Sequence, residues 1–428
     1  MVGRDAPAGA IAAVDAANFA LEGGQPNVVT LAGVLEPGGF VDARGVPDVG
    51  RLRTVLADRV RSVPALCRRP VASGAAWHWE PSQPELDRHA RLWRPGADGA
   101  AGAGVLAFEQ VCARTLMTGL PLDRPLWELL LVPGVDGRRC GVLFRLHHAL
   151  ADGLEAEALI AALCDDGAAG AGLGGPAATV PLPPAERLSA LRRLREVAAQ
   201  TTAVFRRTVR SRVLLGPLGA TRDVAFLDVG LAELHDGASR AGGTIGDAFL
   251  AAVGQGLRAV LVTAGEELPA TLPVSSPVRL PRPPGEGNAT GVMLVQVPVA
   301  DADARAAVAR VGAQSRSEKA RARAAGTFEW MSGPRSAALL MRVARTQRAV
   351  AAVASEFPGP VRTLRLDGAE LVSAWPLALL SANVRVGFVA ASYAGRFRVS
   401  VQTDAGHVPA ARLVAEAVAE ALHTIARS

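Results

Sequence analysis

A glycine- and proline-rich stretch divides this chain into two large parts. Residues 167–184, GAAGAGLGGPAATVPLPP, contain five glycines and four prolines, a composition typical of a linker. The chain has 428 residues, of which 50% are hydrophobic, so it is long enough for a substantial core and too long for one ordinary domain. We therefore predict two globular domains, residues 1–165 and 217–428, joined by a connecting segment at 166–216.

Both parts mix patterns of helices and strands. Alternation of apolar and polar residues predicts strands in 291–299 and 385–401, whereas helical spacing predicts helices over 248–262 and 410–426. No repeat occurs at the period of a solenoid or propeller. The predicted fold class is α/β.

Composition excludes several classes of protein. The hydrophobic fraction and a net charge of only +6 exclude intrinsic disorder. Polar residues interrupt the most apolar stretch, 371–395, which argues against a membrane-spanning segment there. The N-terminus MVGRDAPAGA lacks the apolar core of a signal peptide. The four cysteines lack the spacing of a metal or redox motif, and Lys319 is the only lysine. We expect a cytoplasmic protein without a bound metal.

The positive charge is concentrated in the connecting segment. Residues 183–216 contain eight arginines and two glutamates, and apolar residues at helical spacing predict a basic amphipathic helix. Such a helix could bind an anionic membrane or lipid-droplet surface. The alternative is a helix that joins two domains and exposes its arginines to solvent. We expect no nucleic-acid partner, because interleaved aromatic residues are missing and the rest of the chain is neutral.

The segment 140–164, CGVLFRLHHALADGLEAEALIAALC, predicts a strand, a turn and a helix. Side chains alternate between the two faces of a strand, so the even-numbered residues from 142 to 148 share one face and the odd-numbered residues from 143 to 147 share the other. His147 and His148 therefore point apart and cannot bind one metal together. Asp152 is expected near the N-cap of the helix.

His148 has the properties of a general base. It belongs to the wholly apolar face of the strand, where desolvation disfavours the imidazolium ion and keeps the ring neutral near pH 7. A neutral imidazole can accept a proton from a hydroxyl group. From these residues alone, a catalytic base and a hydrogen-bonded core histidine both remain open.

The string HHALADG, residues 147–153, matches the motif HHxxxDG. This motif is typical of coenzyme A-dependent acyltransferases with the chloramphenicol acetyltransferase-like fold and of the condensation domains of peptide synthetases. Upstream, PLDRPLWELLLV (121–132) is similar to the segment that precedes the motif in the bacterial wax ester synthase/diacylglycerol acyltransferase family. Further similarities follow in the family's order at VDAANFALEGG (14–24), LDRHARLW (86–93), PVSSPVR (273–279), GNATG (287–291) and FPGP (357–360). The resemblance covers nearly the full chain.

The resemblance implies two chloramphenicol acetyltransferase-like domains in a pseudo-symmetric arrangement, with the active site at their junction. It makes His148 the general base in a direct transfer without an acyl-enzyme, and no GxSxG nucleophile motif occurs in the sequence. His147 would support local structure, and Asp152 would be an anchor paired with an arginine, for which Arg279 is the candidate. Gly153 would let the backbone leave the strand beside the reaction channel.

Candidate residues in the second half are less specific. Asn288 and Gly291 match the family's GNxxG pattern and could shape the site, although a turn before a strand explains them equally well. Asp247 and Ser275 are further candidates for shaping the substrate site. The chain has Gly246-Asp247 where the family has Asn-Asp, and Glu356 where the family has an asparagine before VPGP. These departures leave the base in place and bear on the acceptor.

The expected function is an O-acyltransferase that uses acyl-CoA as a co-substrate, without a bound cofactor, and a fatty alcohol or diacylglycerol as acceptor. An alternative keeps this chemistry but acylates a hydroxyl or amine of a specialised metabolite, with an acyl carrier protein as a further candidate donor. A third hypothesis is a binding protein that has lost turnover, against which the intact HHxxxDG motif argues.

Overall fold

The computed structural model describes residues 9–21, 26–74, 76–94, 105–167, 208–279, 290–301, 303–325, 342–380 and 382–427. The helices are α1 Ala13–Leu21, α2 Val49–Arg61, α3 Leu86–His89, α4 Val105–Thr115, α5 Gly153–Ala162, α6 Leu231–Arg240, α7 Ile245–Thr263, α8 Ala304–Ala325 and α9 Ala411–Arg427. The strands are β1 Val28–Leu35, β2 Arg68–Ser73, β3 Ala76–Pro81, β4 Ala90–Leu92, β5 Trp127–Val132, β6 Cys140–His147, β7 Arg222–Gly230, β8 Thr271–Arg279, β9 Thr290–Pro298, β10 Ala352–Phe357, β11 Arg365–Leu366, β12 Ala369–Leu377, β13 Val386–Tyr393 and β14 Arg396–Asp404.

Two six-stranded sheets form the centre of the fold. The first has the order β11-β12-β1-β6-β5-β4 and the second β7-β14-β13-β10-β8-β9, while β2 and β3 form a separate hairpin. The helices predicted over 248–262 and 410–426 are α7 and α9, and the strand predicted over 291–299 is β9. Segment 385–401 forms β13 and β14, which turn at Ala394 and Gly395. The predicted α/β class is confirmed.

Two strands of the second half belong to the first sheet. Strand β12 pairs antiparallel with β1, with Thr30 opposite Leu377 and Gly33 opposite Ala374, and β11 pairs with β12. The predicted boundary at 165–217 therefore does not separate the two sheets. After β10 of the second sheet, the chain contributes residues 365–377 to the first sheet and then returns to the second sheet at β13. Leu371 and Ala374 join the core of the first sheet, which gives the crossing its hydrophobic stabilisation.

The end of the connecting segment is not helical. Residues 208–216, assigned above to the basic amphipathic helix, form turns and one β-bridge, Leu215 to Val384. The backbone N–H groups of Thr208 and Val209 donate to the Arg348 carbonyl at 3.0 and 2.8 Å, which replaces helical bonds. Val209 is buried in the core of the second sheet. The rest of the predicted helix, 183–207, lies outside the described residues.

Among the described helices, α7 alone has the length and apolar composition that crossing a membrane requires. Its position explains this composition, because it packs in the core of the second sheet with most of its side chains buried. A buried core helix passes the same test of length and hydropathy as a membrane span. The apolar sequence of α7 is therefore accounted for by packing inside the protein.

A buried carboxylate joins the two halves. Glu109 of α4 accepts a hydrogen bond from the N–H of Phe226 at 2.9 Å and another from Nη2 of Arg412 at 2.5 Å. Burial raises the pKa of Glu109, and these two bonds oppose that shift. Phe226 also stacks on Trp375 of β12, with ring centroids 4.6 Å apart. The polar and aromatic contacts together fix β7 and α9 against the first sheet.

A second buried charge holds β6 in place. Arg145, only 1% exposed, forms an ion pair with Glu128, which lies opposite it in β5. Its guanidinium also donates to the carbonyl of Thr115 at 2.9 Å. Burial lowers the pKa of Arg145, and the Glu128 carboxylate opposes this shift. The glutamate of PLDRPLWE therefore neutralises the arginine that lies two residues before the histidine pair.

We predict that Glu128→Gln lowers the free energy of unfolding by about 3–5 kcal/mol, because it leaves a buried guanidinium without its counter-charge. The matched control is Glu36→Gln, which removes an exposed ion pair with Arg139 at 2.8 Å and should cost less than about 1 kcal/mol. Urea unfolding measures both. Equal losses in the two variants would contradict the structural role assigned to Glu128.

Candidate active site

The two histidines lie where three elements meet. His147 ends β6, and its N–H donates to the carbonyl of Leu126, just before β5, at 3.0 Å. The N–H of His148 donates to the carbonyl of Asn27, just before β1, at 2.8 Å. Asn27 in turn donates from its side-chain amide to Asn18 of α1 at 2.7 Å. The histidine backbone is therefore fixed by β1, β5 and α1 together.

His147 is entirely buried and has the contacts of a structural residue. Its Nδ1 accepts a hydrogen bond from the N–H of Ala149 at 3.0 Å, so a neutral His147 ring carries its proton on Nε2. The ring stacks on Phe19 with centroids 4.9 Å apart, and Phe19 stacks on Trp77 at 4.4 Å. These contacts support the role predicted for His147, which is to shape the turn.

His148 lies deep in the protein but keeps an accessible surface. Its side chain is half-buried, and its Nδ1 is buried without a hydrogen-bond partner among the described residues. Nε2 is therefore the nitrogen through which the ring can meet a substrate. Burial lowers the pKa of His148, and its own backbone together with the carboxylates of Asp152 and Asp15 opposes this shift. The ring is consequently neutral near pH 7 and able to accept a proton.

The alternation predicted for β6 is confirmed by its packing. Val142, Phe144 and Leu146 belong to one hydrophobic cluster of the first sheet. Leu143, on the opposite face, belongs to another cluster. His148 follows the first set of residues by two positions, immediately after the strand ends.

Asp152 caps the helix that follows the histidines, as predicted. Its Oδ1 accepts a hydrogen bond from the N–H of Glu155 at 2.9 Å, and Oε2 of Glu155 accepts one from the N–H of Asp152 at 3.2 Å. This reciprocal pair is a capping box. Gly153 does not adopt a left-handed backbone, and its role beside the reaction channel stays a prediction. A Cβ at Gly153 would lie 3.5 Å from the ring of Phe357, at van der Waals distance.

The arginine near these carboxylates is one that the sequence did not indicate. Arg68 of β2 lies over the ring of Trp79, 4.4 Å from its centroid. Burial lowers the pKa of Arg68, and the carboxylates of Asp15 and Glu155 oppose this shift. Arg279, the predicted partner of Asp152, contributes only its backbone to the described structure, in β8, so its pairing stays a prediction.

Two residues that sequence reasoning missed, Asp15 and Phe19, belong to the segment VDAANFALEGG. The ring of Phe19 stacks on His147, and the carboxylate of Asp15 acts electrostatically on His148. The segment resembles the opening of the family's sequences, and this resemblance gives no sign of a contact with the histidines. Arg68 lies in no recognised motif, and the sequence gives no signal for it.

Three candidate residues of the second half, Asp247, Gly291 and Asn288, differ in their structural positions. Thr244 is the N-cap of α7, and Asp247 closes its capping box. Oδ2 of Asp247 accepts hydrogen bonds from the N–H and Oγ1 of Thr244 at 2.9 and 2.8 Å, and Ser315 of α8 donates to Oδ1 at 2.5 Å. Gly291 lies in β9 opposite Val278. Asn288 lies outside the described residues.

A cavity of about 210 Å³ lies between α7, α8, β8, β9 and β10. It is lined by Gly246, Asp247, Phe249, Leu250, Ser276, Pro277, Val278, Met293, Lys319 and Glu356. Of the two adjacent serines in β8, the lining residue is Ser276 and not the predicted Ser275. Glu356 directly precedes Phe357, the residue that faces Gly153. Glu356, which lines the cavity, and Phe357, which faces Gly153, are therefore consecutive residues of β10 whose side chains leave opposite faces of the strand.

The FPGP element brings the two halves into contact beside α5. A Cβ on Gly359 would lie 2.2 Å from the carbonyl oxygen of Ser392 and 2.5 Å from Oε1 of Glu157, so only glycine fits there. Glu157 is 8% exposed, and burial raises the pKa of its carboxyl to about 8. No group of three potential metal ligands occurs within the described ranges.

Comparison with protein families gives two matches. Residues 11–171 match the wax ester synthase/diacylglycerol acyltransferase catalytic domain, and residues 286–426 match the C-terminal domain of the same family. The histidine pair, Asp152 and Glu157 fall in the first match, and Glu356 falls in the second. The two matches together cover most of the chain.

Individual relatives have moderate identity. The chain is 30% identical over 233 residues to "Putative diacyglycerol O-acyltransferase Rv3371" of Mycobacterium tuberculosis strain H37Rv, and this match spans 52% of the chain and 49% of that relative. The chain thus spans about half the length of this relative. It is 26% identical over 412 residues to "Probable diacyglycerol O-acyltransferase tgs1" of the same strain, covering 88% of each.

Solved structures share the fold at low identity. The wax ester synthase/diacylglycerol acyltransferase from Marinobacter aquaeolei VT8 has a TM-score of 0.70 at 18% identity, covering 96% of this chain and 97% of that one. Trichothecene 15-O-acetyltransferase from Fusarium sporotrichioides has a TM-score of 0.63 at 10% identity, covering 97% and 94%. The starter condensation domain of rhizomide synthetase in complex with C8-CoA has 0.59 at 14%, covering 98% and 94%. These similarities confirm the predicted chloramphenicol acetyltransferase-like fold.

We predict that Glu157→Gln stabilises the protein increasingly as the pH rises from 5 to 8. The pKa of this carboxyl rises from 4.5 to about 8 on folding. The free energy of unfolding of the wild type therefore falls by about 1.4 kcal/mol per pH unit between these values, whereas the amide does not titrate. Thermal unfolding at several pH values measures the difference. Glu420→Gln, on the exposed face of α9, is the control, and parallel curves for wild type and Glu157→Gln would contradict the prediction.

Proposed function

The chain belongs to the wax ester synthase/diacylglycerol acyltransferase family, and we propose that it transfers an acyl group from acyl-CoA to the hydroxyl of a fatty alcohol or diacylglycerol. The observation that carries this proposal is His148, a neutral and accessible imidazole within the HHxxxDG motif. The diacylglycerol O-acyltransferase names of the relatives support the acceptor. The C8-CoA complex of a condensation domain with the same fold supports the donor.

His148 would act twice in one direct transfer. As the acceptor oxygen attacks the thioester carbonyl, Nε2 takes the hydroxyl proton, and a tetrahedral oxyanion forms. The oxyanion then collapses, the carbon–sulfur bond breaks, and the imidazolium gives its proton to the departing CoA thiolate. The products are an ester and free CoA, and no covalent bond to the protein is needed.

The surroundings of His148 suit both steps. Burial keeps the ring neutral before the reaction, as the lowered pKa indicates. The carboxylates of Asp15 and Asp152 favour the charged ring, so they would stabilise the imidazolium that exists between the two proton transfers. His147 holds the turn through Ala149 and Phe19, which would keep the base in position.

The same proposal places the protein in the cytoplasm, at the periphery of a membrane or lipid droplet, because its acceptors are insoluble in water. The basic composition of 183–216 supports this location. Transfer to a specialised metabolite, or from an acyl carrier protein, keeps the same roles for the histidines and is the second candidate. Glu356 favours it, since a carboxyl replaces the family's amide in the cavity.

We predict acceptor-dependent thiol release when the purified protein is mixed with palmitoyl-CoA and either hexadecanol or diacylglycerol. His148→Ala should lower the rate about 100- to 10,000-fold, because the proton no longer has an acceptor. His235→Ala removes an exposed histidine of α6 and should leave the rate unchanged. Acyl-CoA binding without thiol release in the wild type would overturn the lipid acceptor and favour a specialised acceptor or a binding protein.

We predict that the acidic limb of kcat/KM lies below pH 6.5, the approximate pKa of an ordinary histidine. Burial lowers the pKa of His148, so the base stays neutral as the pH falls to the shifted value and loses activity only below it. Asp15→Asn removes a carboxylate that opposes this shift and should move the limb to still lower pH. A limb above pH 6.5, or a shift upward in Asp15→Asn, would contradict this assignment.

A further inference from the structure

The two departures of this chain from its family's pattern are in direct contact. A Cβ added to Gly246 would lie 2.3 Å from Oε1 of Glu356 and 2.8 Å from its Cδ. The carboxyl of Glu356 therefore occupies the space that any side chain at position 246 would fill. The glycine at the start of α7 and the glutamate at the end of β10 form one feature, and neither is an isolated replacement.

Glu356 lines the cavity with an exposed side chain. Burial raises the pKa of its carboxyl, with Lys319 opposing this shift and Asp247 reinforcing it. Within the described residues, Glu356 and Lys319 make neither a hydrogen bond nor an ion pair shorter than 4 Å. Asp247 differs, because its oxygens are already used by Thr244 and Ser315.

Among the described residues, the cavity thus holds two charged groups without a hydrogen bond or a close ion pair. Such groups are costly to bury against hydrocarbon, because their bonds to water are lost without replacement. An alkyl chain is therefore a poor occupant for this space. A ligand that donates a hydrogen bond to Glu356 would remove most of that cost.

Charge balance favours a hydrogen-bonding group over a simple ion. Lys319 offsets Glu356, and Arg316 lies close to Asp247, since a Cβ on Gly312 would be 3.4 Å from Nη1 of Arg316 and 3.3 Å from Oδ2 of Asp247. A strongly anionic group, such as the phosphates of CoA, would meet two carboxylates. The volume of about 210 Å³ is also below the roughly 300–1,000 Å³ of a site for a whole drug-sized ligand, so only part of a substrate fits.

We propose that Glu356, Lys319 and Ser276 form a polar subsite that selects acceptors with a hydrogen-bond donor in addition to the hydroxyl that is acylated. Gly246 makes the subsite possible by leaving room for the carboxyl. Phe357 follows Glu356 in β10 and faces Gly153 at the start of α5, so the subsite lies one residue along the strand from the contact with the helix that follows His148. This inference rests on the proposed acyl transfer and names its acceptor class.

The test compares three acceptors with the same alkyl chain: octadecan-1-ol, octadecane-1,2-diol and 2-aminooctadecan-1-ol. Thiol release from palmitoyl-CoA gives kcat/KM for each. The wild type should prefer the diol or the amino alcohol over octadecan-1-ol by about 10- to 100-fold, the effect of one hydrogen bond to a charged group. A preference for both donors indicates hydrogen bonding alone, whereas a preference for the amino alcohol alone indicates a cation at Glu356.

Glu356→Leu should remove most of this preference and leave KM for palmitoyl-CoA unchanged. Gly246→Ala should have the same effect, because its methyl group displaces the carboxyl. Glu416→Leu, on the exposed surface of α9, is the matched control and should keep the wild-type preference. Should Gly246→Ala fail to fold, Glu356→Leu decides the question.

Two results would overturn the subsite. One is turnover of octadecan-1-ol with equal or greater efficiency than the diol and the amino alcohol. The other is a preference that persists in Glu356→Leu. Thiol release with none of the three acceptors would overturn the proposed transfer to a lipid alcohol and, with it, this inference.

Discussion

The antiparallel pairing of β1 with β12 is the constraint on which the site depends. It draws residues of the second half into the first sheet, with Thr30 opposite Leu377. The chain must then cross between the sheets immediately after β10, and this crossing is the FPGP element. In this element, Phe357 faces Gly153, and Gly359 lies against Glu157. The junction beside His148 is therefore a consequence of strand pairing, and it needs no separate interface.

Arg145 in the scaffold and His148 at the site are ionisable groups with different surroundings. Arg145 is buried in β6 and paired with Glu128, so its charge is compensated where it lies. His148, only three residues later, has a buried Nδ1 without a hydrogen-bond partner among the described residues. A buried charge that keeps its partner avoids the cost of an uncompensated charge, whereas an imidazole with a lowered pKa is available for proton transfer. Strand β6 carries the paired charge of Arg145 and leads directly to His148.

Features of the site with a local cause could be predicted from the sequence. The alternation of β6, the cap at Asp152 and the cap at Asp247 follow from strand period and helix-end chemistry. The pairing of β12 with β1 could not, because periodicity defines a strand but not its distant partner. The contact between Gly246 and Glu356 could not be predicted either, because it depends on how α7 packs against β10, although both positions stand out as departures from the family's pattern.

The central claim is that one base serves two substrates bound together, and initial-velocity kinetics tests it most directly. Rates would be measured with palmitoyl-CoA and an alcohol acceptor varied against each other. Direct transfer assisted by His148 predicts intersecting double-reciprocal lines, because both substrates must be present before any CoA leaves. Parallel lines, together with an acylated protein isolated in the absence of acceptor, would show a covalent intermediate and contradict the account.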